Sequence, residues 1–337
     1  MKAYEIGVQD GIDSLRATTR PEPVAGPGQV VVAPRLVSLI SRDLQILRGV
    51  YGAKQSEQRI PGSEGVGTVL SVGEGVTAVK VGDRVVCGHF AGWLDGPFRP
   101  DVFSHDIGVT HDGWLAERVV LPAAAVISVP ASLADKDVAG LASAGLTAWN
   151  ALVEVSWVKP GDRVLCLGTG GVSLAALALA KSLGARVAIT SSSDAKLDIA
   201  RQLGADITIN YRTHPEWGVE LLAQTDGAGA DIVIETGGQD TLGQSIASLA
   251  ANGRVVVIGV TPGQKPAIPD YLSFITRNLS IRGIANGNRA MMVDLLQSVD
   301  RHRINTQVSK TFSFTEAAQA VAYFAQAAHV GKVMIAL

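Results

Sequence analysis

Residues 163–173 read Arg-Val-Leu-Cys-Leu-Gly-Thr-Gly-Gly-Val-Ser, and this stretch decides the fold that the sequence predicts. A buried-strand pattern leads directly into a glycine turn, and the residues after the turn have the pattern of a helix. Glycines permit a tight turn and the close approach of a diphosphate group to the amides at the helix N-terminus. Ser173 replaces the third glycine of the usual fingerprint, and its small side chain still allows helix and strand to pack closely. The stretch predicts a dinucleotide site that includes Gly168, Thr169, Gly170, Gly171 and Val172.

Further units of strand and helix follow this turn. The predicted strands are 163–167, 186–190, 207–210, 231–235, 254–258 and 279–283, and the predicted helices include 172–183, 194–203 and 241–249. This alternation predicts an α/β fold with a doubly wound parallel sheet of the Rossmann type. Short, closely spaced strands near the N-terminus and a mixed tail predict a second, β-rich domain. We therefore expect residues 1–124 and 286–337 to form the β-rich domain, with the Rossmann domain, residues 125–285, inserted into it.

The composition supports two folded cores and argues against several kinds of partner. Hydrophobic residues make up 47% of the 337 residues and charged residues 18%, and the formal net charge is -2. A chain without a basic tract is not expected to bind nucleic acid or an anionic membrane. The N-terminal sequence lacks a basic segment followed by an apolar one, and the apolar runs are too short to span a bilayer. These features predict a cytoplasmic protein in which Cys87 and Cys166 are buried free thiols.

The residues after the second Rossmann strand indicate which dinucleotide is bound. An acidic residue about 20 positions beyond the glycine turn would bind the ribose 2′-hydroxyl of NAD(H), whereas this sequence has Ser191 there. Ser191 and Ser192 offer hydroxyl groups that do not repel a 2′-phosphate, and Lys196 offers a cation, so we predict NADP(H) rather than NAD(H). Two alternatives stay open from the sequence: a solvated Lys196, and an Asp194 that turns toward the ribose.

Further cofactor contacts are predicted at the ends of the later strands, where dinucleotides bind to a sheet of this kind. Tyr211 follows the third strand, and its ring either flanks the adenine or lies on the surface. The remaining predicted contacts are Gly237, Ile258, Gly259 and Val260.

Five motifs make the chain similar to the medium-chain dehydrogenase/reductase superfamily over nearly its whole length. They are the glycine turn, Pro-Gly-Ser-Glu-Gly-Val-Gly at 61–67, Val-Lys-Val-Gly-Asp-Arg-Val at 79–85, Leu-Thr-Ala-Trp at 146–149 and Ala-Arg-Gln-Leu-Gly-Ala-Asp at 200–206. The resemblance implies a GroES-like catalytic domain with the Rossmann domain inserted, usually as a dimer or tetramer, and we expect a homodimer. It also implies that Thr147 lies near the nicotinamide and that Lys332 approaches the cofactor.

The chain departs from the zinc alcohol dehydrogenases of this superfamily at both metal sites. The catalytic Cys, His and Cys of those enzymes correspond to Ile40, Ser63 and Ser143, none of which replaces a thiolate or imidazole ligand. Residues 88–114, where a structural zinc lobe would hold four cysteines, contain no cysteine, and His105 and His111 lie there without a third ligand. We therefore expect no metal, and the chain resembles the zinc-free quinone oxidoreductases and enoyl reductases.

A site without zinc favours reduction of a polarised double bond over oxidation of an alcohol. Alcohol oxidation requires a stabilised alkoxide, which zinc supplies, whereas reduction of a quinone, enone or enoyl substrate by NADPH requires only a stabilised enolate oxygen. Tyr51 is predicted either as the proton donor or as a pocket wall, and Ser63 and Ser143 either as polar pocket residues or as structural hydroxyls. A zinc-independent alcohol dehydrogenase or carbonyl reductase, and a non-catalytic cofactor-binding protein, are the alternatives.

Overall fold

The computed structural model describes residues 1–259 and 271–337, which divide into two compact units. The first unit contains Met1–Leu146 and Gly287–Leu337, and the second contains Thr147–Asn286. The chain returns to the first unit within one residue of the predicted position, but it leaves that unit after residue 146 rather than after residue 124. The difference arises because Val126–Ser128 still pairs with a strand of the first unit.

Short strands dominate the chain before residue 147. The elements are β1 (Lys2–Glu5), β2 (Arg16–Thr19), β3 (Gln29–Ser38), α1 (Ser41–Leu47), β4 (Glu64–Val72), β5 (Arg84–Cys87), β6 (Val119–Pro122), β7 (Val126–Ser128) and α2 (Asp135–Val138). Short 3-10 helices lie at Ile12–Ser14, Pro100–His105 and Phe314–Glu316, and π-helical turns lie at Leu141–Gly145 and Asn150–Val155, on either side of α3 (Leu146–Trp149).

Strands and helices alternate in the rest of the chain. In the second unit they are β8 (Arg163–Leu167), α4 (Gly171–Ser182), β9 (Arg186–Ser191), α5 (Asp194–Gln202), β10 (Ile207–Asn210), α6 (Trp217–Gln224), β11 (Ala230–Glu235), α7 (Gln239–Ala247), β12 (Leu249–Val257), α8 (Tyr271–Arg277) and β13 (Ser280–Gly283). The tail, which belongs to the first unit, contains α9 (Arg289–His302), β14 (Val308–Ser313), α10 (Ala317–Ala325) and β15 (Lys332–Ala336).

The second unit contains the predicted doubly wound sheet. Its six strands are parallel and lie in the order β10-β9-β8-β11-β12-β13. The central strand β8 is buried on both faces, with Val164, Leu165 and Cys166 inaccessible to solvent, because helices cover both sides of such a sheet. The Rossmann fold is confirmed, and Cys166 is a free, buried thiol, as predicted.

Helices α6 and α8 of this unit were not predicted, and the reason is visible for α6. Helix α6 is only eight residues long and contains Gly218, which weakens its helical signal in the sequence. Gly218 is required by packing, because a Cβ there would lie 2.6 Å from the carbonyl oxygen of Gln244 in α7. The helix therefore owes its position to a neighbouring element that a local sequence pattern does not show.

The first unit is the predicted GroES-like β domain. Its seven-stranded sheet runs β14-β15-β3-β4-β5-β7, with β6 also paired to β3, and β1 and β2 form a separate hairpin pair. Trp114, Leu121, Val69 and Val85 are fully buried in its core. The C-terminal strand β15 pairs with β3, so the residues after the inserted unit complete the sheet that the N-terminal residues begin.

One helical segment, Asp135–Val155, is long and apolar enough to cross a membrane by length and composition alone. Within its most apolar window, 83% is buried inside the protein, as is usual for a core helix of a globular domain. Burial is therefore sufficient to account for its composition.

We expect Gly67→Ala to destabilise the first unit. The added Cβ would lie 2.4 Å from the carbonyl oxygen of Ala33 and 2.5 Å from Cγ1 of Val32, so β3 and β4 must separate. Overpacking of this kind costs about 1–3 kcal/mol. Urea denaturation should show a lower transition midpoint for this variant. In the control Gly88→Ala the nearest atom is 4.0 Å away, in the side chain of Leu146. Equal midpoints for the two variants would contradict this packing.

Candidate active site

The glycine turn joins β8 to α4 as predicted, and a hydrogen bond from Ser173 connects the helix to the end of the strand. Gly168 has a φ of +74°, which side chains rarely adopt, and a Cβ at Gly170 would meet no atom within 4 Å. The buried Ser173 hydroxyl donates a 2.6 Å hydrogen bond to the carbonyl oxygen of Leu167. Since Gly170 is the N-cap of α4 and offers no side-chain cap, the amides of the first turn can bind a diphosphate. Thr169, Gly171 and Val172 lie at the same helix start.

The residues predicted to select the ribose group lie where β9 ends and α5 begins. Ser191 is buried at the end of β9, and its carbonyl oxygen accepts a 3.0 Å hydrogen bond from the amide of Tyr211, whose side chain is 42% exposed. Ser192 and Lys196 are both partly exposed. The structure thus brings Ser191 and Tyr211 together.

The contacts of Asp194 bear on the second alternative, and Ser193 lies next to it at the start of α5. The Asp194 carboxylate accepts a 2.8 Å hydrogen bond from the side-chain amide of Asn210, so it is held at the end of the neighbouring strand β10. Ser193 is the N-cap residue of α5, but its hydroxyl makes no capping hydrogen bond. Its amide instead approaches the Ser191 hydroxyl oxygen at 3.4 Å.

A buried carboxylate that sequence reasoning missed holds the turn after β11. The Glu235 side chain is fully buried and accepts hydrogen bonds from the amides of Gly237 and Gly238, at 2.7 and 3.1 Å, and from the Thr241 hydroxyl at 2.7 Å. The Ser245 hydroxyl is a fourth donor. The predicted contact Gly237 therefore lies in a turn that this carboxylate makes rigid. An acidic residue at the end of a buried strand, directly before Thr-Gly-Gly, is the signal that could have identified it.

The turn after β11 contacts the end of β8 on one side and the residues after β12 on the other. The Thr236 hydroxyl donates a 2.9 Å hydrogen bond to the carbonyl oxygen of Leu167, next to the glycine turn. A Cβ at Gly259 would lie 2.2 Å from the carbonyl oxygen of Thr236, and the amides of Ile258 and Gly259 both donate to the Glu235 carbonyl oxygen. The structure brings Gly237, Ile258 and Gly259 together, while the predicted contact Val260 lies outside the described residues.

Thr147, the predicted nicotinamide contact, lies at one end of the second unit and is buried. Its hydroxyl donates a 3.1 Å hydrogen bond to the side-chain oxygen of Asn286, at the other end. The side-chain amide of Asn150 donates to the backbone carbonyl of Asn286 at 2.5 Å. These bonds fix the position of Thr147, and its contact with a cofactor stays a prediction.

In the first unit, Ser63 is the centre of a buried charge cluster consisting of Arg42, Asp43, Ser63 and Asp106. The Ser63 hydroxyl donates to Asp43 at 2.8 Å and accepts from Nε of Arg42 at 3.1 Å. The guanidinium also bonds to Asp106 at 2.5 Å and to the carbonyl oxygen of Ile107 at 2.9 Å. Both hydrogen-bonding functions of Ser63 are thus taken by charged side chains, neither by backbone groups nor by solvent.

Burial changes the pKa values of the ionisable groups in and beside this cluster. It raises the pKa of the Asp106 carboxyl to about 6, against the opposing effect of Arg42, and it also raises the pKa of Asp43. Burial opposes the charge on Arg42, but Asp106, Tyr51 and Asp43 together hold its pKa above the ordinary value. The adjacent His89 has a pKa well below its ordinary value, because it is buried and faces Arg42, so its imidazole is neutral. Arg42 is therefore the permanent cation of the cluster.

Sequence reasoning missed Arg42, Asp43 and Asp106. The available signal was the pair Arg42-Asp43 inside the apolar stretch 36–47, where two charges on a buried segment require partners. Asp106 could not be found from the sequence, because it reaches Arg42 across 64 positions of chain.

The positions that correspond to zinc ligands are Ile40, Ser63 and Ser143, and each has hydrogen-bonding partners within the protein. Ile40 presents a hydrocarbon side chain, while its amide donates to Asp43 at 2.9 Å. Ser63 is held by the charge cluster, and the amide of Ser143 donates to Glu64 at 2.6 Å. Among residues 1–259 and 271–337, no group of three or more His, Cys, Asp or Glu side chains could hold an ion.

Tyr51 lies against the charge cluster and is partly buried. The Cζ atom of Arg42 is 5.6 Å from the centroid of the Tyr51 ring, and the hydroxyl is one of the groups that raise the pKa of Arg42. The structure thus brings Tyr51 and Ser63 to the same guanidinium group. Ser143 is connected to Ser63 through Glu64, the next residue in the chain, whose carboxylate accepts a hydrogen bond from the Ser143 amide.

Lys332 forms a buried ion pair. Its ammonium group lies 2.6 Å from Oε1 of Glu64 and donates to the carbonyl oxygen of Leu39 at 3.2 Å. Glu64 uses its other oxygen to accept from the amide of Ser143. Lys332 therefore joins β15 to β4 and to the end of β3, and its predicted approach to a cofactor stays a prediction.

A row of aromatic side chains occupies the segment that corresponds to a structural zinc lobe. The ring centroids are 5.6 Å apart for Trp93 and Phe98, 5.8 Å for Phe98 and Phe103, and 5.1 Å for Phe103 and Phe90. Phe90 in turn contacts His89 at 4.3 Å. Phe98 and Phe103, in the middle of the row, are each 45% exposed, whereas Trp93 at one end and Phe90 and His89 at the other are buried. The His89 end of the row is near Arg42.

Comparisons with known proteins agree with both units. A model of the alcohol dehydrogenase GroES-like domain matches residues 26–131, and a model of zinc-binding dehydrogenases matches residues 171–301. A zinc-type alcohol dehydrogenase-like protein of Schizosaccharomyces pombe is 40% identical over 96% of this chain and 96% of its own.

Two of the solved structures that cover the whole chain differ in their dinucleotide. An NAD-dependent alcohol dehydrogenase is 30% identical, with a TM-score of 0.91, and is itself covered completely. A mycobacterial protein in complex with NADPH, also covered completely, is 26% identical with a TM-score of 0.83. The overall fold of this chain is therefore shared with proteins that use each of the two dinucleotides.

We expect Lys332→Met to reduce stability strongly, because it leaves Glu64 as an uncompensated buried charge. Breaking a buried pair in this way costs about 3–5 kcal/mol. The double variant Lys332→Met/Glu64→Gln should be more stable than Lys332→Met alone, since its glutamine is neutral and still accepts from Ser143. Urea denaturation of the single and double variants measures this coupling.

The control for this pair is Arg16→Met, which breaks the exposed pair with Glu57. A loss below about 1 kcal/mol is expected there. Strictly additive losses for Lys332→Met and Glu64→Gln would show that the two charges do not support each other.

Proposed function

Because the chain belongs to the medium-chain dehydrogenase/reductase superfamily, we propose that it is a zinc-independent, NADPH-dependent oxidoreductase that reduces a polarised double bond. The substrate class is a quinone, an enone or an enoyl compound. The observation that carries the proposal is the bond between Arg42 and Ser63, at a position where zinc alcohol dehydrogenases have a histidine ligand. A guanidinium group there repels a divalent cation, and Ile40 offers no ligand. The residues present do not fit a catalytic zinc.

The proposed chemistry needs few groups from the protein. The bound nicotinamide supplies a hydride, and negative charge then develops on the carbonyl oxygen of the substrate. The protein stabilises that oxygen and delivers a proton, and Tyr51 is the side chain proposed for this role, since its hydroxyl is beside a permanent cation. Forming an alkoxide from an alcohol requires a Lewis acid such as zinc, and Ile40, Ser63 and Ser143 do not offer the ligands for one.

NADPH is proposed because the end of β9 offers hydroxyl groups and a cation near it. Ser191 adds no negative charge at the position where NAD enzymes carry a carboxylate. Asp194, the acidic residue that follows, is bonded to Asn210. Lys196 lies in the first turn of α5, and Tyr211 adjoins Ser191. The relative in complex with NADPH supports this choice, while the NAD-dependent relative makes a direct test necessary.

The aromatic row supports an apolar, planar substrate. Phe98 and Phe103 offer exposed ring surface, and rings gain about 0.5–1.5 kcal/mol from a further aromatic partner. A quinone or aromatic enone provides both a ring for this surface and a carbonyl oxygen for a hydrogen-bond donor. We therefore propose aromatic electrophiles as better substrates than short aliphatic ones.

Carbonyl reduction without zinc is the second candidate, favoured by relatives that are named as alcohol dehydrogenases.

We further propose that the protein acts in the cytoplasm on small molecules, without nucleic acid or membrane partners. A homodimer is proposed because β13 is the last strand of its sheet and leaves Ser280, Arg282 and Gly283 exposed.

Turnover assays with NADPH test the reaction. We expect consumption of NADPH with 1,2-naphthoquinone, an aromatic enone or an enoyl thioester, unchanged by a chelator, and no oxidation of simple alcohols with NADP+. Mass spectrometry of an enone product distinguishes a saturated carbon pair from a new hydroxyl group. Chelator-sensitive alcohol oxidation would refute the proposal, and NADPH binding without any turnover would indicate a non-catalytic protein.

Ser191→Asp should shift the preference from NADPH to NADH. A carboxylate there repels the 2′-phosphate and can bind the 2′-hydroxyl of NADH. We expect the KM for NADPH to rise by about 10-fold or more, equivalent to about 1.4 kcal/mol, while the KM for NADH falls. Ser309→Asp, at an exposed serine of the first unit, is the charge-matched control. An unchanged NADPH KM in Ser191→Asp would place the 2′-phosphate elsewhere.

A further inference from the structure

Arg42 is held on every side by fixed partners. Its three nitrogens donate to the Ser63 hydroxyl, the Asp106 carboxylate and the Ile107 carbonyl, at 3.1, 2.5 and 2.9 Å. The Tyr51 ring covers the guanidinium at 5.6 Å. Only 9% of the Arg42 side chain is exposed. The position of the guanidinium group is therefore set by several partners and not by solvent.

Structural needs alone do not explain a cation at this position. Removing a charge from water costs several kcal/mol, and well-packed apolar side chains usually serve a core as well or better. The core cluster of the surrounding β domain consists of apolar side chains such as Val37, Leu39 and Ile46. Asp43 adds a second negative group to the cluster, yet it bonds to Ser63 and to the Ile40 amide rather than to Arg42. The cation therefore has one direct carboxylate partner and faces Ser63 and Tyr51 with its other sides.

We infer that Arg42 is a positioning residue that provides, beside Ser63 and Tyr51, the fixed positive charge that zinc provides in the metal-dependent relatives. It orients the Tyr51 hydroxyl and favours the negative charge that develops on the substrate oxygen bound there. Ser63 and Asp106 hold the guanidinium in place. This inference rests on the proposed reduction of a polarised double bond, and it names the group that replaces the metal.

The planar shape of the guanidinium group allows it to bond to several partners at once. Three separate acceptors around one group require the fork of an arginine, which a lysine ammonium group cannot reproduce from a single point. Arg42→Lys should therefore restore the charge but not the position. We expect it to recover only part of the activity that Arg42→Met loses.

The test compares variants of the full chain with NADPH and 1,2-naphthoquinone. We expect Arg42→Met to lower kcat by about 10²-fold or more, because loss of a preorganised electrostatic donor has an effect of this size. The KM for NADPH should change less than about threefold, because the proposed dinucleotide site is in the other unit. Since Arg42→Met leaves Asp106 unpaired, the double variant Arg42→Met/Asp106→Asn tests the same loss without a buried charge. A folded double variant with wild-type kcat would overturn the inference.

Chemical rescue separates electrostatics from packing. Guanidinium ion at non-denaturing concentration should restore part of the kcat of Arg42→Ala in a saturable manner, whereas urea, which has a similar planar shape and no charge, should not. Equal effects of the two compounds would overturn the inference.

Arg84 is the matched control, since it also bonds to a carboxylate, Asp135, and to two backbone carbonyls of the same unit. Arg84→Met/Asp135→Asn should lower stability and leave kcat within about twofold. A loss of kcat as large as that in the Arg42 variants would overturn the inference. A wild-type protein that reduces no quinone, enone or enoyl thioester would instead remove the proposed function, and the inference with it.

Discussion

The buried ion pair between Lys332 and Glu64 closes a loop of 268 positions in the chain. A domain interrupted by a complete Rossmann unit can form only if the residues after the interruption recognise those before it. The strand pairing of β15 with β3 supplies backbone hydrogen bonds, but a sheet alone permits a slipped register. A buried ammonium group that must meet one particular carboxylate specifies the register, because any other alignment leaves both charges unpaired.

The same pair connects the stability of the β domain to the site. Glu64 follows Ser63 in the chain, and its second oxygen holds the amide of Ser143. Two of the positions that correspond to metal ligands are thus fixed through one structural carboxylate. The third, Ile40, is fixed by Asp43, which also binds Ser63. The three positions are thus held by buried carboxylates, and one of them also bonds to the Arg42 guanidinium group.

Much of the second unit could be predicted from the sequence, because its signals are local. Strand β8, the glycine turn and β10 each follow from a short pattern, and all lie where the patterns place them. Helix α6 could not be predicted in this way, since its position depends on Gln244, which the fold brings next to it. The Glu235 turn has a local signal in the sequence, but its contact with Leu167 forms only in the folded chain. The charge cluster shows the same limit: Arg42-Asp43 is visible in the sequence, whereas Asp106 becomes its partner only after folding.

The aromatic row determines how well this segment tolerates amino-acid substitutions during evolution. A lobe built on four thiolates loses its ion, and with it its shape, when any one cysteine mutates. Edge-to-face ring contacts between Trp93, Phe98, Phe103 and Phe90 are separate and individually modest. Each ring can be exchanged for another apolar group while the rest keep the segment folded. The shape and apolar surface of this segment can therefore change by single substitutions without loss of its fold.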